Sequence, residues 1–311
     1  MPTELGELLA ESRRLAHESR PPGLTIFLPG MFSAYGRRGR YPAVSITGQR
    51  CRLNCEHCGG RLLEAMRPAQ TPAELLALGR ELAAQGQVGM LLSGGSDLDG
   101  RLPWREMLPA IAELTSSTNL VVTTHVGRID ADTARELKQA GVRQALFEVV
   151  GDPETAREIL HLPDGLAAQE ESLAACAAAG LEVVPHIILG LHAGQMRGEW
   201  RALEIVAELD PARLVCIVLM PLKRTGLAGV TPPSPREAAR FLAHARLRLP
   251  RASHHLGCAR PRGRHRQELD ALAVVAGIDA LAIPSDGALR EAERLGIPVR
   301  FRETCCSLAE A

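Results

Sequence analysis

Aromatic side chains are scarce: the 311 residues include 5 Phe, 2 Tyr and 2 Trp, 3% in all. A surface that stacks single-stranded bases needs such rings, so that mode of nucleic-acid binding is not expected. An excess of charge of either sign is missing as well. Lys and Arg number 36 and Asp and Glu number 36, so no overall field favours a nucleic acid or an anionic membrane as partner. Long apolar runs are absent too. The longest, LVCIVLMPL, is far too short to cross a bilayer. The opening stretch MPTELGELLAESRRLAHESR is polar and amphipathic and lacks the apolar segment of an export signal. A soluble cytoplasmic protein is expected.

With 46% hydrophobic residues, the chain can bury a sizeable core. From residue 43 onward short β-rich segments alternate with amphipathic helical ones. The expected strands are 43–47, 88–93, 119–126, 144–151, 181–190, 213–220, 253–258 and 279–284. Segments such as TPAELLALGRELAAQG and SPREAARFLAHARLRLP between them carry apolar residues at three- and four-residue spacing. Several open on Thr, Ser or Asp and close on Gly, as capped helices do. Eight βα units predict an α/β fold, a (β/α)8 TIM-type barrel over residues 41–284, with ligand chemistry at the C-terminal ends of its strands. A doubly wound sheet is the alternative. Residues 1–40 read as an N-terminal helix and a Pro/Gly/Arg-rich linker. Residues 285–311 read as a closing helix, a short extended piece and a C-terminal tail bearing cysteines.

Cysteine is plentiful by comparison: there are 8, and six of them fall in two groups. In a reducing compartment such clustering favours metal chemistry over disulfides. Cys51, Cys55 and Cys58 follow the first strand of the barrel with C-x3-C-x2-C spacing and no fourth cysteine. A [4Fe–4S] cluster held by three thiolates leaves one iron open to a small chelating molecule. A zinc site would have to recruit His57, an awkward joint ligand beside Cys58 in so tight a loop. Ser93-Gly94-Gly95 follows the second strand, and a glycine pair there permits close approach of backbone to ligand, although many such pairs only make turns. Glu148 ends the fourth strand, where a buried carboxylate needs a partner, a ligand or an internal cation. His186 on strand five and His192 beyond it read as pocket residues or as hydrogen-bonded structural histidines.

The second group is Cys258, at the end of strand seven, with Cys305 and Cys306 in the tail. Adjacent cysteines make a strained disulfide with each other, so these three are expected to hold a second iron–sulfur cluster if they meet at the barrel mouth, and otherwise to be unrelated thiols. The fourth ligand is open: Arg260, Arg262, a sulfur species or none, with the arginines better suited to an anion or substrate. Cys176 and Cys216 read as small buried hydrophobes.

The stretches PAVSITGQRCRLNCEHCGGRLLEAM, LLSGGSD, VPHIILGLHAGQMRGEW, LGCARPRG and ETCCSL resemble the radical S-adenosylmethionine (SAM) superfamily, in particular its biotin-synthase-like group and the subunits of two-protein lipoyl synthases. The resemblance implies a [4Fe–4S] cluster on Cys51, Cys55 and Cys58 that binds SAM and cleaves it to a 5′-deoxyadenosyl radical. It further implies that Ser93, Gly94 and Gly95 receive the SAM amino group and that Glu148 binds its ribose. His57 stands where the superfamily usually has an aromatic residue near adenine, and His186 lies on a strand that often lines the SAM pocket.

The implied reaction is sulfur insertion into an octanoyl chain on a lipoyl carrier protein, with a second [4Fe–4S] cluster on Cys258, Cys305 and Cys306 as sulfur source. Implied partners are the octanoylated carrier, a second radical SAM subunit and an electron donor such as ferredoxin or flavodoxin. The strand ends LLSGG, TTHVG and VPHII lack the inner-barrel cysteines of biotin synthase itself. Single-chain lipoyl synthases have an extra N-terminal cysteine motif that this chain also lacks. The alternative within the superfamily is another modification, methylthiolation or peptide crosslinking, with the second cluster used for electron transfer or substrate anchoring. The alternative from another class is a metal-binding scaffold without turnover.

Overall fold

A computed structural model of the chain describes residues 4–30 and 32–308. The strands are β1 Leu24–Phe27, β2 Ser33–Ala34, β3 Arg37–Arg38, β4 Ala43–Ser45, β5 Arg67–Pro68, β6 Gly89–Ser93, β7 Val121–His125, β8 Gln144–Glu148, β9 Glu182–Leu189, β10 Arg213–Val218, β11 Ser253–Leu256, β12 Ala280–Ala282 and β13 Val299–Arg302. The α-helices are α1 Glu4–Ser19, α2 Pro72–Ala84, α3 Trp104–Ser117, α4 Ala131–Gln139, α5 Pro153–Glu158, α6 Gly165–Ala178, α7 Glu199–Leu209, α8 Pro235–Arg248, α9 Arg264–Val275 and α10 Asp286–Arg294. Among the described residues no helix is long and apolar enough to cross a membrane.

One parallel sheet of 11 strands runs in the order β13-β1-β12-β11-β10-β9-β8-β7-β6-β4-β5, while β2 and β3 form a separate small hairpin. All eight strands expected from the sequence are present as β4 and β6 to β12, each beside its successor in the chain. This curled parallel sheet with its surrounding helices is the (β/α) barrel of the expected class. β4 and β6 to β12 are largely buried on both faces, which is why their sequences read as nearly continuous apolar runs. Along β8, Ala145 and Phe147 pack with the helical layer, whereas Leu146 belongs to a cluster inside the barrel; this is the two-residue alternation of a strand.

Helix starts follow from local chemistry. The Ser234 hydroxyl accepts from the Glu237 N–H while the Glu237 carboxylate accepts from the Ser234 N–H, a capping box ahead of α8. Thr71, Asp130 and Asp152 cap α2, α4 and α5 through single side-chain bonds.

The first and last barrel strands expected from the sequence, β4 and β12, are not neighbours. The stretch read as linker supplies β1, which pairs with β12 on one side and with β13 on the other. Five residues between Pro21-Pro22-Gly23 and Pro29 are too few to show a period, yet Leu24, Ile26 and Phe27 are all buried. The gap between β13 and β4 is spanned by the Arg40 N–H donating to the Glu303 carbonyl at 2.7 Å and by the Arg40 guanidinium on the Glu303 carboxylate at 2.8 Å. After β13 the tail turns into the barrel, where Cys305, Cys306 and Leu308 pack with Phe27, Tyr41, Leu146 and Val215.

Candidate active site

The cysteine loop leaves the C-terminal end of β4, and hydrogen bonds fix its path. The Ser45 hydroxyl donates to the Gly48 carbonyl at 2.6 Å. The Arg52 N–H reaches the Ser96 carbonyl at 2.7 Å, and the N–H groups of Cys58 and Gly59 both turn back to the Cys55 carbonyl. Gly59 and Gly60 take φ of 51° and 72°, the left-handed region that glycine tolerates without strain. His161 pins the loop from outside, with Nδ1 2.8 Å from the Leu53 carbonyl and Nε2 3.1 Å from the Glu56 carboxylate.

Opposite the loop stands the segment after β6. The Gly95 N–H donates to the Thr47 hydroxyl at 2.7 Å. A Cβ at position 95 would lie 2.1 Å from the Arg50 carbonyl oxygen and 2.5 Å from the Cys51 Cβ, so only glycine lets these two backbones meet. Between them opens a cavity of about 290 Å³ that is lined by Cys51, Cys55, Cys58, His57, Ser93, Gly94 and Gly95 and, from the strands, by His125 and Glu148. Its size lies at the small end of ordinary ligand pockets.

The electrostatics of this cavity favour thiolate. Hydrogen bonding to Cys55 and the neighbouring His57 imidazole lower Cys58 to about 4, while Cys55 is raised by the same contact and by burial. Burial opposes a charge on His57, but the Cys58 thiolate more than offsets it and the imidazole is raised above its ordinary value. Its buried Nδ1 has no hydrogen-bond partner among the described residues. Burial raises Glu148, with His57 pulling the other way, and its carboxylate makes no hydrogen bond to the described residues.

Three thiols, an unpaired carboxylate and an unpaired imidazole nitrogen around a glycine-floored cavity fit a cluster with a small polar ligand on its open corner. Among the described residues no three His, Cys, Asp or Glu side chains converge as ligands of a single metal ion. A cubane attaches each thiolate to a different iron and needs no such convergence.

The cavity thus gathers His57, Ser93, Gly94, Gly95 and Glu148 with the three cysteines. His186 is elsewhere: it lies behind His125, ring centroids 5.5 Å apart, with Nδ1 on the Val184 carbonyl at 3.0 Å. Burial lowers His186 to about 4, and burial together with His186 lowers His125 to about 3, so both are neutral. His125 is the cavity residue that sequence reasoning missed. It shares the inward register of Thr123, a signal present in TTHVG once the strand face is known. His192 lies outside this cavity, with Nδ1 3.1 Å from the Thr155 hydroxyl.

Cys305 and Cys306 lie together inside the barrel. Their mutual hydrogen bonding lowers Cys305 to about 7 and raises Cys306; the charge of Cys258 also raises Cys306, and that of Cys305 raises Cys258. The Cys306 carbonyl accepts from His255 Nδ1, and His255 Nε2 lies 2.8 Å from the Ser253 hydroxyl. The Ser307 hydroxyl donates to the Cys305 sulfur at 3.3 Å. Cys305 and Cys306 are buried and Cys258 is exposed.

Arg260 is neither a ligand nor a substrate contact. All of its donors are taken, two by Asp270 and three by the carbonyls of Gly257, Ala282 and Ile283. Arg262 is exposed. Cys176 and Cys216 are buried hydrophobes whose thiols burial pushes up to about 12.

Fold and cavity define a (β/α) barrel with a small-ligand site at its C-terminal face. Residues 45–199 match the model of the Radical SAM superfamily, and the chain carries that superfamily's domain, whose members use a [4Fe–4S] cluster and SAM.

Solved structures with the same fold include HydG, a maturase of the FeFe-hydrogenase, with a TM-score of 0.67 at 16% identity over 91% of this chain and 62% of HydG. Methylornithine synthase (PylB) has a TM-score of 0.64 at 14% identity over 97% and 91%. HydG from Carboxydothermus hydrogenoformans gives 0.61 at 16% over 90% and 63%. The chain therefore spans a little under two thirds of either HydG, and at these identities the likeness is one of fold. No curated protein matches the chain in sequence.

Proposed function

We propose that this radical SAM enzyme is one of two cooperating subunits of a lipoyl synthase, inserting sulfur into an octanoyl chain carried on a lipoyl carrier protein. The observation that carries the reading is that Cys305 and Cys306 are buried inside the same barrel as the first three thiols, with Cys258 near enough for charge to act between it and them. Leu146 is common to both surroundings: it lines the first cavity and belongs to the apolar cluster that holds Cys305 and Cys306. An acyl chain entering between them lies within reach of each.

When bound, a [4Fe–4S] cluster with SAM supplies a radical that removes hydrogen from an unactivated carbon, and a second [4Fe–4S] cluster supplies sulfur. The chain's own residues do the rest. Cys51, Cys55 and Cys58 hold the first cluster, and the low pKa of Cys58 keeps a thiolate ready for iron. The Gly94 and Gly95 backbone and the Glu148 carboxylate orient the SAM amino acid and ribose ends. Leu146 and the apolar barrel lining exclude water, so that the substrate carbon is held against a single reactive neighbour. Cys258, Cys305 and Cys306 hold the second cluster, with the fourth position left to a non-protein ligand now that Arg260 is fully occupied. The reading includes a second radical SAM subunit and a ferredoxin or flavodoxin as electron donor.

Iron and sulfide counts after anaerobic reconstitution test it. About eight irons per wild-type chain, and about four in a Cys51→Ala/Cys55→Ala/Cys58→Ala variant, are expected for two [4Fe–4S] clusters. About four and almost none would remove the sulfur source and end this reading. With two clusters present, an octanoyl-lysine substrate returned methylthiolated or crosslinked, without inserted sulfur, would favour the other modification chemistries.

A further inference from the structure

Cations crowd three loops of the barrel mouth. Arg50 and Arg52 flank Cys51 on the loop after β4, Lys223 and Arg224 lie on the loop after β10, and Arg262 and Arg264 follow β11. All six are exposed, and none of their side chains makes a hydrogen bond or ion pair among the described residues. Elsewhere some exposed arginines are paired, as in Arg67 with Glu81, Arg80 with Glu113 and Arg248 with Glu204, and others, such as Arg143, Arg201 and Arg236, have no side-chain partner among the described residues, so it is the clustering of six on joined loops that sets the rim apart. On these three loops the acids are Glu56 and Glu64, and they are engaged by His161 and Arg61. These three loops therefore carry uncompensated positive charge, while Asp97 and Asp99 lie on the loop after β6.

The three loops form one surface. The Leu227 N–H donates to the Glu56 carbonyl at 3.2 Å, joining the loop after β10 to the cysteine loop. His265 Nε2 lies 2.8 Å from the Pro233 carbonyl, joining it to the segment after β11. Arg224 sits at φ 63°, a left-handed conformation that a non-glycine residue adopts only where the surrounding turn holds it. At the opposite end of the barrel Leu308 of the tail lines a separate cavity with Thr25, Ser253 and Asp279, whereas the cavity bounded by the cysteine loop lies on the face that carries this rim.

We propose that the basic rim of Lys223, Arg224, Arg262 and Arg264, continued by Arg50 and Arg52, docks an acidic face of the small protein domain that presents the acyl chain. This rests on the reading that the substrate is protein-tethered. A nucleic-acid partner fits less well, because the exposed large aromatics among the described residues are Tyr35 and Trp200, neither of them on these loops, and base stacking would have none to use. Charges spread over three loops also match an extended acidic surface better than one small anion. Such complementarity acts mainly on encounter and specificity.

The test uses the reconstituted full chain with an octanoylated lipoyl domain of acidic net charge as probe. A triple variant, K223E/R224E/R264E, reverses exposed charges that have no partner in the fold, so folding and SAM cleavage are expected to be unchanged. Binding of the domain is expected to weaken about 10-fold or more, and wild-type binding to weaken steeply across roughly 0.05–0.5 M salt. KM for a short octanoyl-lysine peptide should not move. Unchanged affinity for the domain in the variant, or tighter wild-type binding to a single-stranded RNA than to the domain, would overturn the proposal. The two readings fail separately. Charge-sensitive binding without sulfur insertion leaves the docking surface standing and removes the lipoyl synthase reading; sulfur insertion by the variant with an unaltered KM for the domain does the reverse.

Discussion

Arg260 and Asp270 meet where neither is reached by solvent, with Nε and Nη2 of the guanidinium 2.7 and 2.9 Å from the two carboxylate oxygens. The pair ties the loop that carries Cys258 to α9. Through Arg260 on the Ala282 and Ile283 carbonyls, and Asp270 on the Ser285 N–H at 2.9 Å, it also ties that loop to the end of β12. Removing one partner strands the other as a buried charge. Arg260→Met is therefore expected to cost about 3–5 kcal/mol in urea unfolding and to release the iron assigned to Cys258, Cys305 and Cys306 before that assigned to the other three cysteines. A loss under about 1 kcal/mol would show that the pair is replaceable.

Gly95 gives a sharper test. Gly95→Ala drives a methyl group into the Arg50 carbonyl and Cys51 and should reduce reductive SAM cleavage by roughly 10²-fold. Gly229→Ala, where nothing lies within 4 Å, is the matching control and should leave the rate alone.

Glu148 carries a carboxylate into the cavity without a protein partner. Glu148→Gln keeps its shape and removes its charge, so SAM affinity should fall by about 10- to 100-fold, the range for a hydrogen bond to a charged group. Equilibrium dialysis with the reconstituted protein measures it. Unaltered affinity would return Glu148 to a structural role.

Acid should unfold the protein through its inner histidines. His125 and His254 are held down to about 3, and His186 and His255 to about 4, chiefly by burial. As pH drops below the ordinary value of about 6.5, the unfolded chain takes up protons that these four refuse in the fold. Stability then declines down to about pH 4, by up to about 1.4 kcal/mol per unit for each group. Buried Glu199, raised by burial, acts in the opposite sense. Tryptophan fluorescence of the apoprotein should show cooperative unfolding near about pH 5, and His254→Gln should move the midpoint lower unless the lost hydrogen bond to the Leu249 carbonyl, 2.9 Å in the parent, outweighs the proton effect at neutral pH.

Much of this was legible in the sequence because it rests on local signals. The barrel strands announce themselves as apolar runs between caps and turns, and C-x3-C-x2-C places three thiols in one loop before any tertiary contact is known. What was not legible depends on long-range partners. Leu24–Phe27 is a strand only because Ala280–Ala282 and Val299–Arg302 lie on either side of it. His125 and His186 look alike in sequence, and only the curl of the sheet puts one in the cavity and the other behind it. Arg260 looked available because no spacing rule reveals Asp270 or three carbonyls waiting for it.

The placement of β1 between β12 and β13 has a kinetic side. Leu24 pairs with Val299 and Thr25 with Ala280, so this edge of the sheet is built by contacts that span most of the chain. The entropy of closing that loop must be met before those contacts are rewarded. An intermediate with β4 to β12 assembled would still lack the tail's thiols and present an open seam. During that interval the barrel interior is accessible to an iron–sulfur donor, and the seam is the place where refolding should be slowest and aggregation most readily begins.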